Sequence, residues 1–221
     1  MRVVRAAIAA RLLLACACTD SRSYAHATCV LVDVSGTYAD QREEVVRIIQ
    51  RGLLPRARPG DSLIVIRIDE KSYDKRAVEA TIAFDSQPSR ANAQKLALAS
   101  KLDRFAQSKA RAARYTDISG ALLLAAEYLR ETQAGRKSIL IFSDMKEELP
   151  PGSRRTLGPG EFKGMNIVAM NVKRLAADNL DPTAYRKRLR EWGTRLTEAG
   201  AASWKVVLEP EELAQQFTPD S

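Results

Sequence analysis

Residues 29–37 (CVLVDVSGT) form a short apolar run that ends in an acid and two hydroxyl residues. The run has the length of one buried strand, and its valines favour the two-sided interior position of a parallel sheet. Asp33 lies where that strand is expected to end, and Ser35 and Thr37 follow at alternate positions. One carboxylate and two hydroxyl oxygens can therefore converge just past the strand. Hard cations prefer such clusters of oxygen ligands.

The pattern formed by Asp33, Ser35 and Thr37 is Asp-x-Ser-x-Thr, which resembles the metal-ion-dependent adhesion site of the von Willebrand factor type A family. An acid and hydroxyl residues are also common in turns and at helix N-termini, where they bond to nearby backbone groups. The motif alone therefore leaves both interpretations open, and residues elsewhere in the chain have to decide between them.

Strand-like apolar runs and amphipathic helical patterns alternate along the rest of the chain. This order predicts an α/β fold with a doubly wound, mostly parallel six-stranded sheet and helices on both faces. The connection before the third strand is short and lacks a helix, so we expect that strand to be antiparallel and at an edge. The predicted strands are 29–33, 61–68, 80–84, 138–144, 165–172 and 204–208, and the helices are 39–56, 88–113, 118–132 and 181–200.

Two further polar residues are predicted to lie at the same edge of the sheet as Asp33. Chain direction, followed through the predicted elements, brings Thr116 to this edge at the start of a helix. It also brings Asp144 there at the end of the fourth strand. The carboxyl edge, where strand order reverses, is where open α/β sheets bind ligands. Three distant segments thus supply compatible residues to one place.

The resemblance implies a function for these residues. It implies a divalent ion, Mg²⁺ or else Mn²⁺ or Ca²⁺, whose coordination is completed by an Asp or Glu of a protein partner. Met145 follows Asp144 where many members of the family have glycine, which bears on the local turn. We expect recognition rather than catalysis, and no enzyme activity. The implied oxygen ligands are Ser35, Thr37 and Thr116, with Asp33 and Asp144 as acids that act directly or through water.

Two other functions remain open. One is a type A scaffold that binds partners through its surface without a metal. The other is a phosphohydrolase similar to the haloacid dehalogenases, in which Asp33 would be the nucleophile. That family normally has a second Asp where Ser35 stands in this chain. The departure makes the enzyme the less favoured alternative.

Composition excludes several classes of protein. The chain has 221 residues and a formal net charge of +8, but aromatic residues make up only 6% and none interleave with a basic run. We therefore expect no nucleic-acid binding. Cys16, Cys18 and Cys29 are too few for a disulfide scaffold in a chain of this size. The single histidine, His26, is predicted to lie in a linker.

The N-terminal residues are similar to a bacterial lipoprotein signal. A basic start and an apolar stretch lead to Leu13–Cys16, which resembles a lipobox, although Arg11 interrupts the stretch. Residues 1–15 are then a signal peptide, 16–28 a short tether and 29–217 the type A-like domain. The resemblance implies a lipid on Cys16 and a place in the cell envelope. A cytoplasmic protein with an unprocessed N-terminus is the alternative.

Overall fold

The computed structural model describes residues 24–36, 38–108, 113–170 and 182–216. An irregular helical segment over residues 39–56 combines α-helical, π and 3-10 turns. The strands are β1 (His26–Asp33), β2 (Ser62–Ile68), β3 (Val78–Ala83), β4 (Arg136–Phe142), β5 (Met165–Met170) and β6 (Ser203–Val207). The helices are α1 (Arg42–Ile48), α2 (Pro88–Gln107), α3 (Ile118–Glu131), α4 (Pro182–Glu198) and α5 (Pro210–Gln216).

The six strands form one sheet in the order β3-β2-β1-β4-β5-β6. All neighbouring pairs are parallel except β2 with β3, so the predicted antiparallel edge strand is confirmed. Strand order reverses between β1 and β4, which are neighbours although α1, α2 and α3 separate them in sequence. The doubly wound α/β fold predicted from the sequence is thus confirmed, with its switch point at the end of β1.

Two apolar cores cover the two faces of the sheet. Alternate residues of β1 point to opposite sides, so Cys29 and Leu31 lie in one core while Val30 and Val32 lie in the other. The first core is closed by α3 and α4, and the second by α1, α2 and α5. Because both faces are covered, polar side chains of the central strands can reach solvent only at the strand ends. A site can therefore form at either end of the strands. We call these two ends the carboxyl edge and the amino edge of the sheet.

The structure differs from the sequence prediction in several places. His26 is the first residue of β1 and not a linker residue, because it pairs with Arg136 of β4, and its half-buried ring bonds to Ser138 Oγ (2.8 Å). Arg42 lies among the charged residues of an amphipathic segment, yet it is only 5% exposed and packs its guanidinium over Phe105. None of the helices in the described part of the chain has the length and apolar character to cross a bilayer.

Candidate metal site

Asp33 ends β1 with a fully buried carboxylate. Its Oδ1 accepts a hydrogen bond from Ser35 N (2.8 Å), and its Oδ2 accepts one from Ser143 Oγ (2.6 Å). Burial and the nearby carboxylate of Asp144 together raise the pKa of Asp33 to about 6, against the opposing effect of the hydrogen bonds. The ionised carboxylate is therefore held in a place that would favour a nearby positive charge.

Ser143 was not identified from the sequence as a site residue. Parallel pairing of Val32 with Phe142 makes Asp33 and Ser143 neighbours on adjacent strands. Ser143 is fully buried, and its Oγ also accepts a hydrogen bond from Met145 N (3.0 Å). It thus joins the end of β1 to the turn after β4. The register of β1 with β4 is the signal that would have identified Ser143 as a neighbour of Asp33.

The segment before α3 is held at the same edge of the sheet. Gly36 N donates to Ala113 O (3.1 Å), and Thr116 pairs with Glu148 through backbone hydrogen bonds of 2.7 and 3.0 Å. Asp117 N donates to Asp69 O just beyond β2 (2.9 Å). These bonds place Thr116 at the edge of the sheet that carries Asp33 and Ser35. Thr116 is only 6% exposed there.

Asp117 is the N-cap residue of α3. Its Oδ1 accepts a hydrogen bond from Gly120 N (2.7 Å), which caps the helix, and Arg155 forms an ion pair with Oδ2 (3.0 Å). A Cβ on Gly120 would lie 2.3 Å from the same carboxylate, so glycine leaves room for the cap. Capping is thus done by Asp117 and not by the preceding threonine, a residue type that also caps helices. The Thr116 side chain is not used by that cap.

Asp144 follows β4 and is 2% exposed. Its Oδ1 accepts a hydrogen bond from Lys146 N (2.8 Å). The next residue, Met145, has φ of 61°, a left-handed conformation that glycine adopts more easily. Its buried side chain packs into the core beside α3 and α4. The turn that the resemblance assigns to glycine is therefore retained here with methionine.

Helix α4 is fastened to this turn. Trp192 Nε1 donates to Met145 O (2.9 Å), and Arg188 Nε donates to Asp144 O (3.0 Å). Arg195 stacks on Trp192, donates to Ser119 Oγ (2.8 Å) and lies 3.5 Å from a Glu147 carboxylate oxygen. The spacing of the basic residues within Arg186–Arg195 predicts a solvated face for this helix. That was wrong for Arg188 and Arg195, which stabilise the loop after β4.

The structure describes four of the five predicted metal ligands. All four are buried at the carboxyl edge of the sheet: Asp33, Ser35, Thr116 and Asp144. Thr37 and Cys16 lie outside the described residues.

The side chains of Asp33, Ser35, Thr116 and Asp144 offer oxygen atoms as ligands. Across residues 24–36, 38–108, 113–170 and 182–216, no three His, Cys, Asp or Glu side chains form a cluster that could hold a metal. Any ion here would therefore have two carboxylates, with hydroxyl groups or water as its remaining ligands. Hard oxygen ligands of this kind fit Mg²⁺, which keeps part of its water shell, better than they fit Zn²⁺.

Comparison with known proteins gives a fold and no close relative. No protein-family model matches the chain, and no curated protein sequence matches it. Solved structures with a similar fold include the PilB minor pilin of Streptococcus sanguinis (TM-score 0.53, 11% identity), of which the match covers 60% while covering 88% of this chain. A von Willebrand factor type A structure from Catenulispora acidiphila has TM-score 0.50 and 13% identity, over 88% of this chain and 41% of that one.

The pilus adhesin SpaC of Lactobacillus rhamnosus GG also matches, with TM-score 0.50 and 15% identity, over 87% of this chain and 29% of the adhesin. This chain thus spans less than two thirds of each of these three proteins. Identities at this level establish the fold alone. The strand order, the antiparallel edge and these similarities together show that the chain has a fold like that of the von Willebrand factor type A domain.

Proposed function

We propose that this chain is a cell-envelope interaction module that binds a protein partner through a divalent ion. Asp33, Ser35, Thr37, Thr116 and Asp144 are the residues that would hold Mg²⁺, or Mn²⁺ or Ca²⁺. The observation that supports the proposal is that Asp33 and Asp144 follow neighbouring strands at the switch point of the sheet, with Ser35 and Thr116 at the same edge. The ion would supply an electron-poor centre for an acidic side chain of the partner.

The burial of Asp33 supports a cation at this place. A fully buried carboxylate whose pKa is raised to about 6 by burial and by a second carboxylate is less stable when ionised than a solvated one. A bound cation would offset that cost. A binding role also agrees with the similarity to a pilus adhesin and a minor pilin. Lipidation of Cys16 would place the module at a membrane surface.

The direct test is calorimetry of the full-length chain with Mg²⁺ and Mn²⁺. We expect saturable binding that Asp33→Ala and Thr116→Ala each weaken at least about tenfold, because each removes an oxygen ligand. Glu43→Gln, which removes an exposed acid of α1, is the matched control and should bind as the original chain does. No metal binding by the original chain would contradict the proposal.

The partner is tested by capture from a cell-envelope extract with and without a chelator. The expected partner is lost both on chelation and with Asp33→Ala, and it is retained by Glu43→Gln. Hydrolysis of an aryl phosphate that depends on Asp33 would instead support the phosphohydrolase. Mass spectrometry of the membrane fraction tests the anchor, since a processed chain should begin with an acylated Cys16.

A metal-independent scaffold is the second candidate, and a specific observation favours it. Both oxygens of Asp33 accept hydrogen bonds from the chain itself, from Ser35 N and Ser143 Oγ, and Asp144 Oδ1 accepts one from Lys146 N. Carboxylates bonded in this way can serve the fold alone. Capture of a partner that chelator and Asp33→Ala leave unchanged would identify this function.

A further inference from the structure

A second polar feature lies at the opposite edge of the sheet from Asp33. A cavity of about 80 Å³ opens beside the first residues of β1, β2 and β4, with Leu53, Leu63 and Phe84 among its apolar lining. It is well below the roughly 300 Å³ of common small-molecule sites, but several waters would fill it. A space of this size can hold one compact polar group packed against the apolar side chains of the lining.

Arginines give the cavity its charge. Arg56, Arg58 and Arg136 line it, and none of the three forms an ion pair with an acid of the described residues. Arg136 is half-buried at the start of β4, whereas the other two are exposed. Arg56 donates to Gly52 O (2.8 Å), a backbone carbonyl. Three arginine residues therefore line one space.

Among the described residues, Asp61 is the one acid that lines this cavity, and its oxygens already accept hydrogen bonds. Asp61 Oδ1 accepts one from His26 N (2.8 Å) and Oδ2 accepts one from Arg58 N (2.7 Å). The acid therefore holds the loop before β2 and the start of β1 together. With His26 neutral, the three arginines and Asp61 leave a local charge of +2.

The ring of His26 is held in place at the cavity wall. Its Nε2 lies 2.8 Å from Ser138 Oγ on the neighbouring strand β4. Burial lowers the pKa of His26, the charge of Arg136 lowers it further, and Asp61 opposes both. The imidazole is therefore neutral at pH 7 in the absence of an added anion, and an anion beside it would raise its pKa.

We propose that this cavity binds the phosphate group of a phosphate ester, with Arg56, Arg58 and Arg136 as its cationic contacts. A phosphate monoester carries about −1.5 to −2 at pH 7, which matches the local charge of +2. Guanidinium groups bind phosphate oxygens with paired hydrogen bonds, which ammonium groups cannot do. The apolar lining would contact the carbon skeleton of the ester. This site is separate from the metal site and does not depend on it.

The single histidine of the chain makes the test simple, because His26 gives the only imidazole NMR signals. The full-length chain is titrated with glycerol 3-phosphate in the presence of a chelator. We expect saturable shifts of the His26 signals and a pKa of His26 at least about half a unit higher when the ester is bound. No saturable shift at millimolar ester would overturn the proposal.

Two double variants test where the phosphate ester binds. Arg58→Gln with Arg136→Gln should weaken binding at least about tenfold, because two charged hydrogen-bond donors are lost. Lys101→Gln with Arg104→Gln removes the same charge from exposed positions of α2 and is the matched control. Equal weakening in both double variants would mean general charge attraction and would contradict the site.

Vesicles distinguish the two sources of a phosphate ester. If the ester is a phospholipid head group, the chain should float with vesicles of phosphatidylcholine and phosphatidic acid, whose head group is a phosphate monoester, but not with phosphatidylcholine alone. Glycerol 3-phosphate should then release it. Binding of glycerol 3-phosphate without flotation would support a soluble ester. Flotation that the double variant retains, without binding of the soluble ester, would refute the site.

Discussion

The two edges of the same sheet are built differently. At the carboxyl edge, acids such as Asp33, Asp117 and Asp144 are buried to 2% exposure or less and accept hydrogen bonds from neighbouring segments. At the amino edge, Arg56 and Arg58 are exposed and make no ion pair with a described acid. Buried charge affects stability strongly and exposed charge weakly. Substitutions at the two edges should therefore differ in their effect on unfolding.

Asp33→Asn should have the largest effect, and the effect should be stabilising in the presence of a chelator at pH 8. The pKa of Asp33 is raised from 3.8 to about 6 in the folded state. Its protonated form therefore favours the fold below pH 3.8, and that contribution is lost as the pH rises through about 6. Replacing the ionised group with an amide should raise the free energy of unfolding by about 1–3 kcal/mol.

Urea unfolding at pH 4 and pH 8 checks this prediction. The difference between Asp33→Asn and the original chain should be small at pH 4 and large at pH 8. Added Mg²⁺ should stabilise only the original chain if the metal proposal is right, because bound ligand stabilises the folded state. An amide variant that is less stable than the original at pH 8 would contradict the assignment of a costly buried charge.

Asp117→Ala should destabilise the domain by about 2 kcal/mol, because the cap of α3 and the partner of Arg155 are both lost. Asp117→Asn is the matched control. It retains an oxygen for Gly120 N and loses only the charge, so it should cost less than half as much. Thermal unfolding of the three proteins measures the order. Equal losses in both variants would mean that the ion pair and not the cap is responsible.

Trp192→Phe should destabilise by about 1–2 kcal/mol, because Met145 O loses the hydrogen bond from the indole in a buried place. Trp204→Phe, in the partly buried edge strand β6, tests for a general effect of losing an indole. The expected result in urea is a clear loss for Trp192→Phe and a smaller one for Trp204→Phe. The reverse order would show that α4 is not fastened to the turn.

Arg136→Gln should have the smallest effect, within about 0.5 kcal/mol of the original chain, because its side chain makes no ion pair with a described acid. The same urea series measures it. Together with Asp117→Ala it tests the difference between the edges directly. A loss of stability as large as that of Asp117→Ala would mean that the arginines serve the fold and not a ligand.

Apolar periodicity predicted the elements well because burial on both faces requires continuous apolar strands. The strand that ends at Asp33 and the helix that begins at Ile118 were both found in this way. The end of the long helix α2 was not predicted correctly. It was expected near residue 113, but α2 ends at Gln107 and Ala113 pairs with Val34 and Gly36 instead. Backbone pairing across the chain overrode the local helical pattern there.

Side-chain partners were harder to predict than elements. Ser143 was missed because its role depends on the register of β1 with β4. His26 was placed in a linker because only the fold brings Ser138 beside it. Arg188 and Arg195 look solvated in a helical pattern, which does not show what packs against the helix. Each error concerns a contact between residues distant in the sequence.

The sequence by itself determined which segments are buried and which polar residues end them, because alternation and apolar length depend on neighbouring residues alone. It thus determined the fold class and the approach of Asp33, Thr116 and Asp144 to one edge. Only the tertiary structure decided which groups neutralise, cap or fasten those residues, and that three arginines share a cavity at the opposite edge. Hydrogen bonds and charges act over a few ångströms, and those distances are set only when the chain has folded.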